Sequence, residues 1–371
     1  MKFSASISEL QKSLGSISAV IPTKSTLPIL ENFLFDLSGD QLNITATDLE
    51  VYASVSLKVK GSENGKMAVP AKRLLETVRA LSEEKVNFKA DNSSYKIEMA
   101  TSNGVYKLTG ESSESYPTIP SAKGNDELEV ESETLRRLIN KTAFAVSTDE
   151  LRPAMTGVLL QLNKNGIRAV STDGHRLVKL SNKSFAPSKT EKELIIPAKA
   201  LNLVAKCIEG AKNKITLNDA QTTFYLGNVT LVSRVIEEKY PNYESVLPLD
   251  NDKKLVVDKN QLLSAVRRTA LYASSTTHLV RFSMTKNLVS VSAEDIDFGS
   301  EAKETIECDY SSDHLEIGFN STYVMDILSH VDADEVEFML SSPARAAIVK
   351  PAKQQEGEEL LMLVMPVRLN V

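Results

Sequence analysis

Residues 69–80, VPAKRLLETVRA, and residues 196–207, IPAKALNLVAKC, share one pattern that decides the fold. Each passes from a β-branched residue through Pro-Ala-Lys into Leu and Val at helical spacing, with the proline near the first turn, where its missing N–H costs nothing. Leu74 and Leu201 lie 127 positions apart. A second landmark gives nearly the same period. FSASISELQKSLGSISAV from Phe3, VESETLRRLINKTAFAVS from Val130 and VDKNQLLSAVRRTALYAS from Val257 align on Leu10, Leu135 and Leu262, and Leu10 and Leu135 are 125 apart. A diverged third copy of the first landmark, GFNSTYVMDILSHV, starts at Gly318. Two independent landmarks with one period, in 371 residues, make a threefold repeat.

Each repeat therefore carries two amphipathic helices. The spacing predicts them at 7–20, 71–80, 132–147, 198–206, 259–273 and 320–331, with Leu135, Leu138, Ile139, Thr142, Ala143 and Val146 on one stripe. The rest is short alternating runs rich in Val, Ile and Thr, which predict about seven or eight strands per repeat. Within them recur ITATDLEVYASVSL, AVSTDGHRLVKLS and SVSAEDIDFGSEAKE, which superpose Asp48, Asp173 and Asp295. An Asp at the same place in every copy reads as a hairpin-turn residue, and Asp173-Gly174 signals a two-residue hairpin. The class is α+β, helices packed on antiparallel sheets. Polar stretches near 121–127 and 247–254 divide the chain into domains 1–124, 125–251 and 252–371.

Composition narrows the function. With 42% hydrophobic and 25% charged residues the chain reads as soluble and globular. It has no apolar run of the roughly 18 residues a membrane span needs. The start, MKFSASISEL, carries no hydrophobic stretch behind basic residues, so a cytoplasmic protein is expected. Cys207 and Cys308 are too few for a disulfide framework and read as free thiols. The four His are scattered, CxxC and HxxxH are missing, and so are Walker and GxGxxG patterns, so neither a metal nor a cofactor is expected.

A net charge of −6 argues against a nucleic-acid partner until its distribution is considered. The six predicted helices carry 0, +2, +2, +2, +3 and −1, which leaves the strands and loops strongly acidic. Arg137 and Lys141 stand opposite the apolar stripe of their helix and should point away from the sheets. Helices gathered on one side would form a positive lining suited to phosphate, which carries no sequence information. Few helix aromatics are present to stack single-stranded bases, so the lining fits duplex held by its backbone.

The threefold repeat, TLPIL at 26–30, TDLE at 47–50, STDGHRL at 171–177, YPNYESVLP at 240–248, IGFNSTYVMDIL at 317–328 and the terminal VMPVRL at 364–369 together resemble the bacterial β sliding clamps, the β subunits of DNA polymerase III. The resemblance runs end to end. It implies a DNA polymerase processivity factor without catalytic activity: a homodimer closed head to tail into a ring of six domains, helices lining the hole, encircling double-stranded DNA. Implied partners are the polymerase III α subunit, an ATP-driven clamp loader, and other replication and repair proteins carrying clamp-binding peptides.

The same resemblance implies a peptide pocket made by Met155, Thr172, Gly174, His175, Arg176 and Leu177, by Pro241 and Val246, by Asn320 and Tyr323, and by Val364, Met365, Pro366, Val367, Arg368 and Leu369. The polar groups of His175, Arg176, Asn320 and Arg368 would fix peptide register. DNA-facing residues would be Lys24, Arg73, Arg137, Lys141, Lys199 and Arg268. The dimer seam would use Tyr106, Leu271 and Tyr272; where some family members have basic residues before Tyr106, this chain has Asn103 and Val105, leaving Lys107. Asn370 and Val371 extend past the leucine at which many members stop.

Two rival readings differ in class. As a hydrolase, the chain would use His175 as a base oriented by Asp173 or Asp149, but no positioned nucleophile or oxyanion donors accompany it. As a peptide-binding scaffold without DNA, it would keep the pocket and lose the lining.

Overall fold

Six helices form where the apolar spacing places them: α1 (Ile7–Ile17), α2 (Ala71–Ala80), α3 (Ser132–Thr142), α4 (Ala198–Cys207), α5 (Lys259–Ala270) and α6 (Ser321–Ser329). The computed structural model describes residues 1–118, 126–183, 185 and 191–369. In α1 the buried residues Ile7, Leu10, Leu14 and Ile17 form the single stripe that fixes the helix on its sheet. Both α1 and α3 stop short of the expected ends, and Ser18–Val20 and Ala143–Ala145 tighten into 3-10 turns. At the end of α1 the hydroxyls of Ser16 and of Ser18, the first residue of the following turn, donate to the carbonyls of Ser13 and Gly15, competing with the helical amides for them. No described helix is long and apolar enough to cross a membrane.

The chain packs as two compact units, Met1–Arg136 with Lys199–Val235, and Arg137–Ala198 with Ile236–Val371. In the first, a five-stranded antiparallel sheet runs in the order Lys60–Glu63, Lys2–Ser6, Lys85–Ala90, Lys96–Ala100, Val105–Thr109. Its eight-stranded companion runs Asp126–Glu131, Lys212–Leu217, Gln221–Leu226, Val229–Arg234, Val51–Lys58, Gln41–Thr47, Asn32–Ser38, Gly65–Pro70. The second unit repeats the plan. A nine-stranded sheet runs Lys192–Pro197, Gly157–Asn163, Gly166–Thr172, Arg176–Asn182, Glu358–Val364, Ala347–Pro351, Glu335–Leu340, Lys253–Asp258, Asp309–Tyr310. A four-stranded sheet runs Ser300–Glu307, Leu288–Asp295, Leu279–Thr285, Leu315–Asn320.

The two large sheets are each built from two sequence repeats. Val232 pairs with Tyr52 in one, and Leu363 pairs with Leu177 in the other. Consecutive repeats are thus joined by continuous backbone ladders, while Val105–Thr109 and Ser300–Glu307 end their sheets with an open edge.

The recurring Asp does make the turns. Asp48, Asp173 and Asp295 each accept two backbone N–H groups through Oδ1, from residues two and three positions on. The two-residue hairpin expected at Asp173-Gly174 is instead a four-residue loop, closed by the pair Thr172 and Leu177. The Asp side chain serves as the turn's acceptor for the N–H groups of His175 and Arg176, which a two-residue hairpin would not leave free. In the third copy Asp295 pairs with Ser300, two residues further on than the equivalent in the second.

Aromatic packing anchors both cores. Phe3 stacks on Phe88 with centroids 4.8 Å apart, and Phe35 lies 5.5 Å from Phe88. Phe282 meets Phe319 edge-on at 5.4 Å. Because Phe88 is only 1% exposed, Phe88→Ala should cost about 3–5 kcal/mol in a urea titration. A loss below about 1 kcal/mol would mean that the neighbours collapse into the gap.

Candidate functional site

The turn Asp173–Arg176 sits at the end of the ladder between Arg176–Asn182 and Glu358–Val364, where a strand of the last repeat meets a hairpin of the middle one. Thr172 Oγ1 accepts the Gly174 N–H at 3.1 Å and donates to the Arg176 carbonyl at 2.6 Å. Gly174 has φ 91°, in the left-handed region, and a Cβ there would lie 3.3 Å from Arg152 Nη1 and 3.6 Å from Met155 Cε. Arg152 and Met155 therefore lie over the turn.

Arg176 holds the turn to its surroundings. Its Nε donates to Asp173 at 3.0 Å, Nη1 to Asp326 on α6, and Nη2 to the Phe144 carbonyl at 3.0 Å. The guanidinium also lies 4.8 Å from the Tyr323 ring centre and 5.4 Å from that of Phe144. His175, exposed, stacks on Tyr323 at 5.9 Å.

The C-terminal segment continues from this ladder. Met365 N–H donates to the His175 carbonyl and Val367 N–H to the Gly318 carbonyl, both at 2.8 Å. Gly318 makes room for it, since a Cβ there would stand 2.7 Å from the Val367 carbonyl and 2.8 Å from Leu369 Cδ2. Beneath lies an apolar cluster of Leu159, Val170, Leu177, Ile195, Tyr240, Tyr243, Ala346 and Leu363, with Ala154, Ile236 and Leu247 at its margin. A surface with Met and aliphatic groups over such a floor can accept related apolar side chains in more than one rotamer.

Most residues singled out for a peptide pocket fall around this point, in differing environments. Met155, Thr172, Leu177 and Val364 are buried; Pro366, Val367, Leu369, Asn320 and Tyr323 are half-buried; Gly174, His175, Pro241, Val246, Met365 and Arg368 are exposed. Two polar expectations change. Arg176 is buried with all three nitrogens engaged within the chain, and Asn320 uses its carbonyl to cap α6, accepting the Thr322 N–H at 2.9 Å. Both hold the site's shape, leaving His175 and Arg368 exposed at its surface. Sequence reasoning missed Arg152 and Leu363. Alternation along Glu358–Val364 puts Leu360, Met362 and Val364 inward and Leu363 on the other face, so Leu363 is buried only by what packs there, and nothing local placed Arg152 over a glycine 22 residues on. Asn370 and Val371 lie outside the described residues.

The proposed positive lining is thinner than its sequence tally. Lys24 and Arg73 are exposed. Lys199 is ion-paired with Asp48, and Arg268 is held by Glu304 through Nε at 2.6 Å. Arg137 and Lys141 do not point into solvent. Arg137 donates to Glu358 at 2.7 Å and to Asp332, and Lys141 donates to Asp332 and to the His330 carbonyl. Their face of α3 is covered by chain from the third repeat, which a helical wheel cannot reveal. Burial pulls Lys141 below its usual pKa in spite of Asp332. Partial burial alone would raise Asp332; hydrogen bonds from Lys141 and Arg137 outweigh it and hold the carboxyl below its ordinary range.

Among the described residues no set of three His, Cys, Asp or Glu is placed to hold a metal ion. Cys207 is buried and Cys308 half-buried, both free.

The chain matches the family models described as DNA polymerase III beta subunit: the N-terminal domain over residues 1–120, the central domain over 129–242 and the C-terminal domain over 244–368. It is 30% identical to the beta sliding clamp of Pseudomonas aeruginosa and 28% identical to that of Chlamydia muridarum, with each pair aligned over 100% of both chains. Its fold superposes on the crystal structure of a P. aeruginosa DNA polymerase sliding clamp at TM-score 0.91 with 30% identity, again over 100% of both chains. A Bartonella birtlesii sliding clamp bound to griselimycin gives TM-score 0.93 at 28% identity.

Arg137→Ala should lower stability by about 3 kcal/mol, because it strips a partner from the buried Glu358 carboxylate. Chemical denaturation tests this, and an unchanged midpoint would mean that Asn182 and water satisfy Glu358 alone. Gly318→Val should detach the C-terminal segment, accelerating amide exchange at Met365 and Val367 about tenfold or more while the ladder at Leu363 stays protected. Unchanged exchange at Val367 would show that the segment tolerates a side chain there.

Proposed function

The chain belongs to the family of the bacterial β sliding clamp, the β subunit of DNA polymerase III, and from that membership we propose that it works as two copies closed head to tail around duplex DNA. It is a DNA polymerase processivity factor, and the family is non-catalytic. The observation that supports the ring is the open edge at each end of the repeat series. Successive repeats join by strand pairing, and by that pattern Val105–Thr109 in the first repeat and Ser300–Glu307 in the third, each at an end of its sheet, would join a second copy. Tyr106 lies in the first of these strands, and Leu271 and Tyr272 follow α5 and are 81% and 44% exposed.

In this reading the domains are 1–124, 125–251 and 252–371, and the protein acts in the cytoplasm. Lys24, Arg73, Lys199 and Arg268 face DNA. Their contacts are few and two of them are already paired within the chain. A ring does not require more. Topology prevents loss of the DNA, and weak, sequence-independent phosphate contacts leave it free to slide. The polymerase α subunit, the clamp loader and repair proteins would dock short peptides on the apolar floor beside His175, Met365 and Arg368.

The test is loading onto nicked circular plasmid with a clamp loader and ATP, followed by cutting the plasmid. Release on linearisation is expected. Retention on linear DNA would make the protein an ordinary DNA binder, and a protein that binds peptides yet never loads with a loader active on its own clamp would be the scaffold without DNA.

A further inference from the structure

The last carbonyls of a helix have no helical N–H to meet them, and in α6 a side chain meets one. His330 follows α6 directly. Its backbone N–H donates to the Ile327 carbonyl at 3.0 Å, and its ring Nδ1 donates to the Asp326 carbonyl at 2.7 Å. That bond holds the imidazole flat against Phe144, with ring centres 3.7 Å apart and planes 6° from parallel. Phe144 in turn serves Arg176 twice: its carbonyl accepts from Nη2 at 3.0 Å, and its ring centre lies 5.4 Å from the guanidinium. Asp326, whose carbonyl holds His330, takes Nη1 of Arg176 on its carboxylate. His330 therefore touches both residues that seat Arg176 from outside its own turn.

This arrangement does not recur at the first hairpin. In register with Leu10 and Leu135, the residue matching Phe144 is Ala19, and in register with Asp48 and Asp173 the match of Arg176 is Val51. The third and tenth positions counted from the start of α6 are Tyr323 and His330; from the start of α4 they are Ala200 and Cys207. Phe144, Arg176, Tyr323 and His330 thus stand together where the first hairpin has Ala19, Val51, Ala200 and Cys207. A set needed only to pack the repeat would be expected at both hairpins. It accompanies the one that carries Gly174 and His175, and Tyr323 is the ring on which His175 stacks.

On the reading that short peptides dock beside His175, we infer that His330 is a positioning residue of that site: neutral and stacked on Phe144, it keeps Arg176 seated and the turn Asp173–Arg176 in shape, and a proton on it loosens the turn. The titratable groups around it come from every element packed there. From α3, Lys141 donates to the His330 carbonyl and Arg137 lies beside it, with Asp332 and Glu358 as their partners. Arg176 and Asp173 belong to the hairpin, and Asp326 and Tyr323 to α6. Burial holds the imidazole below its ordinary pKa, Lys141 and Arg176 adding to it, against the pull of the Asp326 carbonyl and carboxylate. The ring therefore stays neutral through the ordinary imidazole range, and a proton taken up below that range places a further cation beside Lys141 and Arg176.

Fluorescence anisotropy of a labelled peptide from the polymerase α subunit, titrated with the full chain from about pH 7.5 down to about pH 5, tests this. His330→Phe keeps a ring on Phe144 and takes no proton. It should match the wild type at neutral pH and bind about threefold or more tighter than the wild type at the acid end. His175 is present in both, so the difference belongs to His330. His330→Ala removes the stack and the hydrogen bond. It should weaken the peptide about tenfold at neutral pH and speed amide exchange at His175 and Arg176, whose N–H groups Asp173 holds, while the strand from Leu177 stays protected. Superimposable pH curves for wild type and His330→Phe overturn the role of the proton. Unchanged affinity and exchange in His330→Ala overturn the positioning role and leave the peptide site standing. A wild-type chain that binds no peptide at any pH overturns the reading of the site, and this inference with it.

Discussion

A strand edge with unpaired N–H and C=O groups has to be covered, and much of this molecule follows from how that is done. Each repeat alone would leave such an edge. The pairings of Val229–Arg234 with Val51–Lys58, and of Glu358–Val364 with Arg176–Asn182, cover it with the next repeat. Each of these pairings makes two repeats share one sheet. The apolar cluster under the second hairpin exists because of such a junction: Leu177 and Leu363 are cross-strand partners from different repeats.

One turn has been put to three uses. The Asp side chain closes each hairpin by the same two hydrogen bonds, so the residues that follow are free to differ. In the first copy they leave Asp48 beside Lys199, in the second they supply Gly174, His175 and Arg176, and in the third they add length and two exposed apolar groups. The scaffold's rigidity lies in the Asp, and its specialisation lies in the residues after it. Arg176 shows how far that goes, since a residue that reads as a ligand contact spends its donors on Asp173, Asp326 and Phe144.

What the sequence made legible was periodic. Helices α1 to α6 lie where the apolar spacing put them, because burial of one stripe per helix is a local pattern. The turn aspartates were visible because they recur. What escaped was the partner across a long stretch of chain. Arg137 and Lys141 looked free on a helical wheel, yet Glu358 and Asp332 come from about two hundred residues away to cover them. Arg152 escaped for the same reason. Its place over Gly174 depends on how two loops stack, and neither loop's own composition encodes that.

The fused sheets also govern how the chain is made. Val51–Lys58 leaves the ribosome long before Val229–Arg234, the strand that covers it, has been translated. At about 5–20 residues per second that interval is on the order of ten to thirty seconds, during which the strand stands open to any other nascent edge. A chain joined in this way is most vulnerable during its own synthesis, and the burden falls on chaperones well before it meets its working partners.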